Sequence, residues 1–167
     1  MELRKNPFNL FNKWFCNPEN FTLRERHAAI LCTCQSNKPD SRVVLMKYSD
    51  EGGFIFALNP HSVTARKLNH DEYASLLLYW DKSLKQILIK GKLEVVNEPM
   101  DESVLVIKKY TRKGIIQRLF NVAHKSKFRL GYINCYKLVP DHFEFIKWNM
   151  FTERVAYDLV GDTWCRS

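Results

Sequence analysis

Two cationic side chains stand near the ends of one short apolar segment, residues 41–47, whose sequence is SRVVLMK. An uninterrupted run of β-branched and aliphatic residues favours a buried β-strand. Side chains alternate along a strand, so Arg42 lies on one face and Lys47 on the other. Because the segment contains no acidic residue, the two cations need either water or an external anion, such as a phosphate, as their partner. Both interpretations remain open from this segment alone.

Length and composition limit the class of protein. The 167 residues, 46% of them hydrophobic, predict a single domain over residues 1–167 with a buried core. We expect a cytoplasmic protein, because no apolar run is long enough to span a bilayer and the N-terminus is a poor secretory signal. The net charge of +8 is compatible with nucleic acid, an acidic membrane surface or a phosphorylated small molecule. Since no helix-turn-helix, zinc-finger or RNP motif is present, we expect no nucleic-acid partner. We also expect no membrane partner.

The five cysteines are scattered and include no CxxC pair. Their spacing does not match a zinc site, so we predict reduced and mostly buried thiols and no metal. The five histidines show no catalytic arrangement, and no acid, base or nucleophile is assigned.

The order of apolar segments and turns predicts many short strands with small helices between them, which indicates a closed or split antiparallel barrel. Asn6 and Pro7 should begin a helix with Phe8, Phe11, Trp14 and Phe15 on one face. Ser62 can cap a helix over residues 63–68, whose first turn favours anions. Strands are predicted at 28–34, 42–48, 54–58, 73–80, 85–96, 135–139, 142–146, 154–160 and 163–165, with turns at 35–40 and 140–141, a bulge or barrel corner at Gly91, and helical segments at 100–110 and 115–120.

Several of these pieces together resemble the pyridoxine 5′-phosphate oxidase family of FMN-binding split barrels. The resemblance covers most of residues 7–96 and returns in part after 132. The pieces are Pro7-Phe8-x-x-Phe11-x-x-Trp14, residues 41–47, Asn59-x-x-Ser62, Leu76 to Trp80, Gln86-Ile87-x-Ile89-x-Gly91-Lys92-x-Glu94, Glu144-Phe145 and Arg154-x-x-Tyr157.

The resemblance implies a mainly β protein with small α insertions, an antiparallel split β-barrel. It also implies a homodimer with FMN at the subunit interface and transfer of a hydride between a substrate and the flavin. In this comparison Arg42 would clamp the phosphate, Gln86 would hydrogen-bond the flavin, and Lys47 would contact the flavin ring or the substrate. The implied cofactor-binding residues are Arg42, Val43, Val44, Leu45, Lys47, Leu58, Ser62, Arg66, Lys67, Gln86 and Arg154.

The chain also departs from the family pattern. The family has Arg-Lys directly after the serine, whereas here Val63 and Thr64 follow Ser62. An Arg-Leu-His-Asp-Arg motif, whose first Arg and His handle the phosphorylated substrate, is replaced by residues 150–154 with the sequence MFTER, which keeps only its last arginine. The Arg-Pro-Arg-x-Ser-Gln substrate loop is not recognisable. We therefore expect an altered substrate site.

Three functions remain open. The first is an FMN-dependent oxidoreductase acting on another small phosphorylated or heterocyclic substrate. The second is a genuine pyridoxine or pyridoxamine phosphate oxidase. Its substrate contacts would be rebuilt from the basic residues Lys108, Lys109, Arg112 or Lys113. The third is a non-catalytic dimer that binds a flavin or another phosphorylated ligand.

Overall fold

Antiparallel strands dominate the part of the chain that the computed structural model describes, namely residues 6–17, 19, 26–49, 52–58, 61–62, 65, 68, 73–96 and 134–167. The elements are helix α1 (Pro7–Cys16) and strands β1 (Ala28–Gln35), β2 (Lys38–Ser49), β3 (Gly53–Leu58), β4 (Tyr73–Trp80), β5 (Lys85–Val96), β6 (Asn134–Lys147), β7 (Glu153–Val160) and β8 (Thr163–Arg166). The predicted helical segments at 100–110 and 115–120 lie outside these residues.

The sheet closes on itself to form a barrel. Its strand order is β3-β2-β1-β4-β5-β6-β7-β8, and β3 also pairs with β6. The closing pairs run from Phe54 opposite Leu138 to Leu58 opposite Asn134. Strands β7 and β8 extend from the second half of β6 as a hairpin outside the closed ring. The predicted antiparallel split β-barrel is therefore confirmed.

A bulge in β6 replaces the turn that the sequence predicted at Pro140 and Asp141, so that prediction was wrong. The β5–β6 register shifts between Lys90 and Gly91, which leaves Asp141 as the extra residue. A Cβ atom on Gly91 would lie 2.0 Å from the backbone oxygen of Val139, so the close approach of the two strands requires glycine. The first half of β6 closes the barrel against β3, and the second half pairs with β7.

The β1–β2 hairpin is tighter than the predicted turn at 35–40. Gln35 pairs directly with Lys38, and the two turn residues have positive φ values, 50° at Ser36 and 60° at Asn37. Two consecutive residues of positive φ match the twist of the flanking strands. As a result β2 begins at Lys38, and Asp40 lies within the strand rather than in a loop.

Helix α1 packs over the barrel as predicted. Asn6 caps it, since Asn6 Oδ1 accepts a hydrogen bond from the backbone N–H of Phe8 at 2.9 Å. Phe11 and Phe15 are buried, and the ring of Phe8 packs against Phe54 in β3 and, edge-on, against Trp164 in β8. The helix thus joins the barrel wall to the β7–β8 hairpin through aromatic contacts.

The cysteines differ from prediction in burial. All five are free thiols, but Cys16, Cys34 and Cys165 are exposed and only Cys135 is buried. On β1, alternation buries Ala29, Leu31 and Thr33 and therefore places Cys34 on the opposite, exposed face. Within the described ranges no helix is long and apolar enough to cross a membrane.

Candidate functional site

Arg42 is the central residue of the candidate site. It shares the inward face of β2 with the buried side chains of Val44 and Met46, and its own side chain is 16% exposed. Its Nη2 lies 2.8 Å from Oδ2 of Asp40, two residues earlier on the same face. The sequence interpretation considered only acids inside residues 41–47 and missed this partner, although the i, i+2 spacing on a strand indicates it.

The Arg42–Asp40 ion pair leaves part of the guanidinium unsatisfied. Nε and Nη1 of Arg42 are buried and have no hydrogen-bond partner among the described residues. Buried N–H groups without a partner cost free energy, and a planar guanidinium matches the oxygens of a phosphate or carboxylate. This donor set fits the phosphate of a flavin mononucleotide.

The opposite face of the same strand is apolar and exposed. Val43 is 69% exposed and Leu45 is 64% exposed. Cross-strand pairing continues this surface from Val43 through Ile30 and Leu77. We call this surface the outer face; it comprises Val43, Leu45, Ile30, Leu77, Tyr79, Gln86, Leu88, Glu144, Ile146, Arg154 and Ala156.

The structure brings two predicted site residues into one row of the outer face. Gln86 in β5 pairs with Ile146 in β6, which in turn pairs with Arg154 in β7. Arg42 instead faces the barrel interior. The predicted cofactor residues of one chain are therefore divided between the two faces of the sheet.

Arg154 has a partner that the sequence did not reveal. Its Nε lies 2.8 Å from Oε1 of Glu144, and the Glu144 side chain is 11% exposed whereas that of Arg154 is 66% exposed. The two residues are 10 positions apart, on neighbouring strands in diagonally adjacent rows. Because this contact depends on the β6–β7 register, no local sequence signal could have found it.

The remaining predicted residues are placed in part. Ser62 Oγ accepts a hydrogen bond from the backbone N–H of Ala65 at 3.0 Å, which is the contact that a helix-capping serine makes. Leu58 is half-buried at the end of β3. The side chain of Lys47, the residues Arg66 and Lys67, and the basic residues Lys108, Lys109, Arg112 and Lys113 lie outside the described part of the chain.

A second polar cluster surrounds the bulge in β6. His142 Nδ1 lies 2.6 Å from Oδ1 of Asp158, an arrangement that the sequence did not predict. The hydrogen bond with His142 makes the largest contribution to lowering the pKa of Asp158, and a hydrogen bond with Ser167 makes the second largest. The hydroxyl of Tyr73 donates to Oδ2 of Asp141, the extra residue of the bulge.

The fold and the Arg42 donor set define the class as a split-barrel protein with a buried arginine that is only partly paired. The sequence model of the family described as pyridoxamine 5′-phosphate oxidase matches residues 19–130, more than half of the chain. The chain belongs to this family, and the predicted resemblance is confirmed.

Individual relatives agree with this assignment. A pyridoxine/pyridoxamine 5′-phosphate oxidase of Burkholderia mallei (strain SAVP1) is 36% identical over 98 residues, 58% of this chain and 46% of the relative. The chain therefore matches about half the length of that relative.

Solved structures share the fold. PhzG from Burkholderia lata 383, in complex with tetrahydrophenazine-1-carboxylic acid, superposes with a TM-score of 0.72 at 23% identity, covering 97% of this chain and 91% of PhzG. A pyridoxamine 5′-phosphate oxidase-related, FMN-binding protein of Nostoc punctiforme PCC 73102 gives a TM-score of 0.66 at 14% identity, covering 89% of this chain and 90% of that protein.

The cluster at the bulge yields a prediction for alkaline pH. Burial, and then the hydrogen bond to Asp141, raises the pKa of Tyr73 to about 12, above the value of about 10 for an unfolded chain. The stabilisation is therefore fully present below about pH 10 and is lost as the pH rises towards 12. Tyr73→Phe should abolish this pH-dependent contribution. The contribution of Tyr73 to the free energy of unfolding should be less than about 1 kcal/mol, since the Tyr73 side chain is half exposed.

The measurement is the free energy of unfolding of both proteins in urea at pH 9 and pH 11.5, together with phenolate absorbance of the folded proteins. The wild type should show a phenolate transition near pH 12 that Tyr73→Phe lacks. If the two proteins have the same transitions at high pH, the contact with Asp141 does not control the ionisation of Tyr73.

Proposed function

We propose that this chain is an FMN-dependent oxidoreductase with a substrate site different from that of the pyridoxamine phosphate oxidases. Family membership supports FMN as the cofactor, and a fold neighbour is described as FMN-binding. The observation that carries the proposal is the guanidinium of Arg42, which presents buried and unpartnered N–H groups suited to a phosphate. When bound, FMN supplies the hydride-accepting chemistry, while the protein supplies binding and orientation.

The division of the site between two faces supports a homodimer. Arg42 faces the barrel interior, whereas Gln86 and Arg154 lie on the outer face. A ligand that contacts all three is readily accommodated where a second copy of the chain meets the first. We therefore propose that two subunits complete each flavin site.

The outer face has the composition of a subunit interface. Val43 and Leu45 are mostly exposed, and Ile30 and Tyr79 are exposed on neighbouring strands. Contiguous exposed apolar surface is uncommon on monomers and is typical of contact surfaces. Burial of this face in a homodimer would remove it from water.

The turn between β6 and β7 supports a substrate without a phosphate. Met150, which takes the place of the first arginine of the family motif, is 93% exposed, and Phe151 beside it is 81% exposed. The side chain of Asn149 orders this turn by accepting from the backbone N–H of Phe151 and donating to Glu153. Apolar side chains here suit a flat heterocyclic substrate, and a phosphate ester left without cationic partners binds poorly. The fold neighbour PhzG, bound to tetrahydrophenazine-1-carboxylic acid, offers a precedent for such a ligand.

Removal of the Arg42 guanidinium tests the cofactor assignment. Arg42→Ala should weaken FMN binding by about 1.5–3 kcal/mol, because a charge-assisted hydrogen bond to the phosphate is lost. Titration with FMN, followed by quenching of flavin fluorescence, gives the affinity. Arg166→Ala, which removes the same charge from the exposed end of β8, is the matched control. An unchanged affinity in Arg42→Ala would contradict the assigned role, and a wild type that binds no flavin would contradict the proposed function.

Disruption of the outer face tests the dimer. Leu45→Asp should raise the dimer dissociation constant by roughly 100-fold or more, because an unpaired charge would be buried at the interface. Sedimentation equilibrium measures this constant. Val160→Asp is the control, since Val160 at the tip of the β7–β8 hairpin is 64% exposed, as Leu45 is. A wild type that is monomeric at micromolar concentration would refute the shared site.

Substrate choice is tested with pyridoxine 5′-phosphate and oxygen. The flavin-loaded wild type should release little hydrogen peroxide, because Met150 offers no charge to the phosphate. Met150→Arg should raise the rate about tenfold by supplying one charge-assisted contact. Efficient peroxide release by the wild type would instead favour a genuine phosphate oxidase whose contacts come from the basic residues near 108–113.

A further inference from the structure

A buried carboxylate interrupts an otherwise apolar row of the outer face. Glu144 is 8% exposed as a residue, and the other members of its row are Val43, Ile30, Leu77, Leu88 and Ala156. A carboxylate in such surroundings loses hydration and is tolerated where a charged partner compensates it. The partner here is Arg154.

The Glu144–Arg154 ion pair is asymmetric in a way that suits positioning. Glu144 Oε1 contacts Nε of Arg154 at 2.8 Å, and the acid is the buried member while the arginine is the exposed one. A contact at Nε fixes the plane of the guanidinium. The two terminal amino groups of Arg154 make no ion pair within the described part of the chain, and they remain available to an incoming ligand.

We propose that Glu144 is a positioning residue that orients the guanidinium of Arg154 towards the flavin; this inference rests on the proposed function. Gln86 lies in the same row as Arg154, with Ile146 between them. A fixed guanidinium at one end of this row and the amide of Gln86 near its middle would offer two polar groups to one ligand. Glu144 itself does not need to touch the ligand.

A double-mutant cycle on FMN affinity tests this role. Glu144→Leu keeps the row apolar and removes the acceptor, so it should weaken FMN binding by about 3- to 10-fold. Glu144→Gln keeps an acceptor for Nε and should retain most of the affinity. In an Arg154→Ala background, Glu144→Leu should have no further effect on affinity, because Glu144 acts through Arg154.

The sign of the effect separates positioning from simple electrostatics. Removing a negative charge near a phosphate-bearing ligand would by itself tighten binding, whereas loss of positioning weakens it. Glu153 is exposed and directly precedes Arg154. Glu153→Gln therefore removes one negative charge near the same arginine and controls for the change in net charge of the hairpin. Circular dichroism of each variant checks that it is folded.

Each outcome bears on one of the two proposals. A wild type that does not bind FMN overturns the proposed function. A wild type that binds FMN overturns the positioning role alone if Glu144→Leu leaves the affinity unchanged, tightens it, or weakens it equally with and without Arg154. Weakening that disappears in the Arg154→Ala background supports the role of Glu144.

Discussion

The close approach of β5 and β6 at Gly91 is the constraint on which the rest of the structure depends. Glycine there lets the backbone of β6 approach so closely that Asp141 is extruded as a bulge. The strand can then pair with β3 through its first half and with β7 through its second half. Barrel closure, the hairpin that carries Arg154, and the placement of Glu144 beneath it all follow from this single register shift.

Strand alternation explains why the candidate site is divided. Along β2 the side chains turn inward and outward in succession, so Arg42 is directed to the barrel interior while Val43 and Leu45 form exposed surface. One strand thereby supplies both a buried cation on its inner face and an apolar surface on its outer face. The same alternation in β5 and β7 places Gln86 and Arg154 beside that wall.

Local patterns predicted the elements well where hydrophobic period and turn residues agree, as in the strands β4 and β5 and the cap of α1. They failed at Pro140 and Asp141, because these residue types favour turns but proline is also accepted at a bulge, and the pairing with neighbouring strands decides between the two. The Glu144–Arg154 and His142–Asp158 pairs join different strands, so they depend on register. Asp40 was a signal that was present but overlooked, two residues before Arg42.

Closure of the barrel also limits how copies of this chain can associate through their strand edges. A sheet with open edges offers unpaired backbone groups to other chains and invites aggregation. Here β3, one end of the strand order, is sealed by β6, and among the described strands the other end is β8, which has four residues and finishes at Arg166. An edge strand of four residues that ends in an arginine is a poor template for fibril growth. Copies of the chain therefore associate through side-chain contacts rather than through backbone hydrogen bonds.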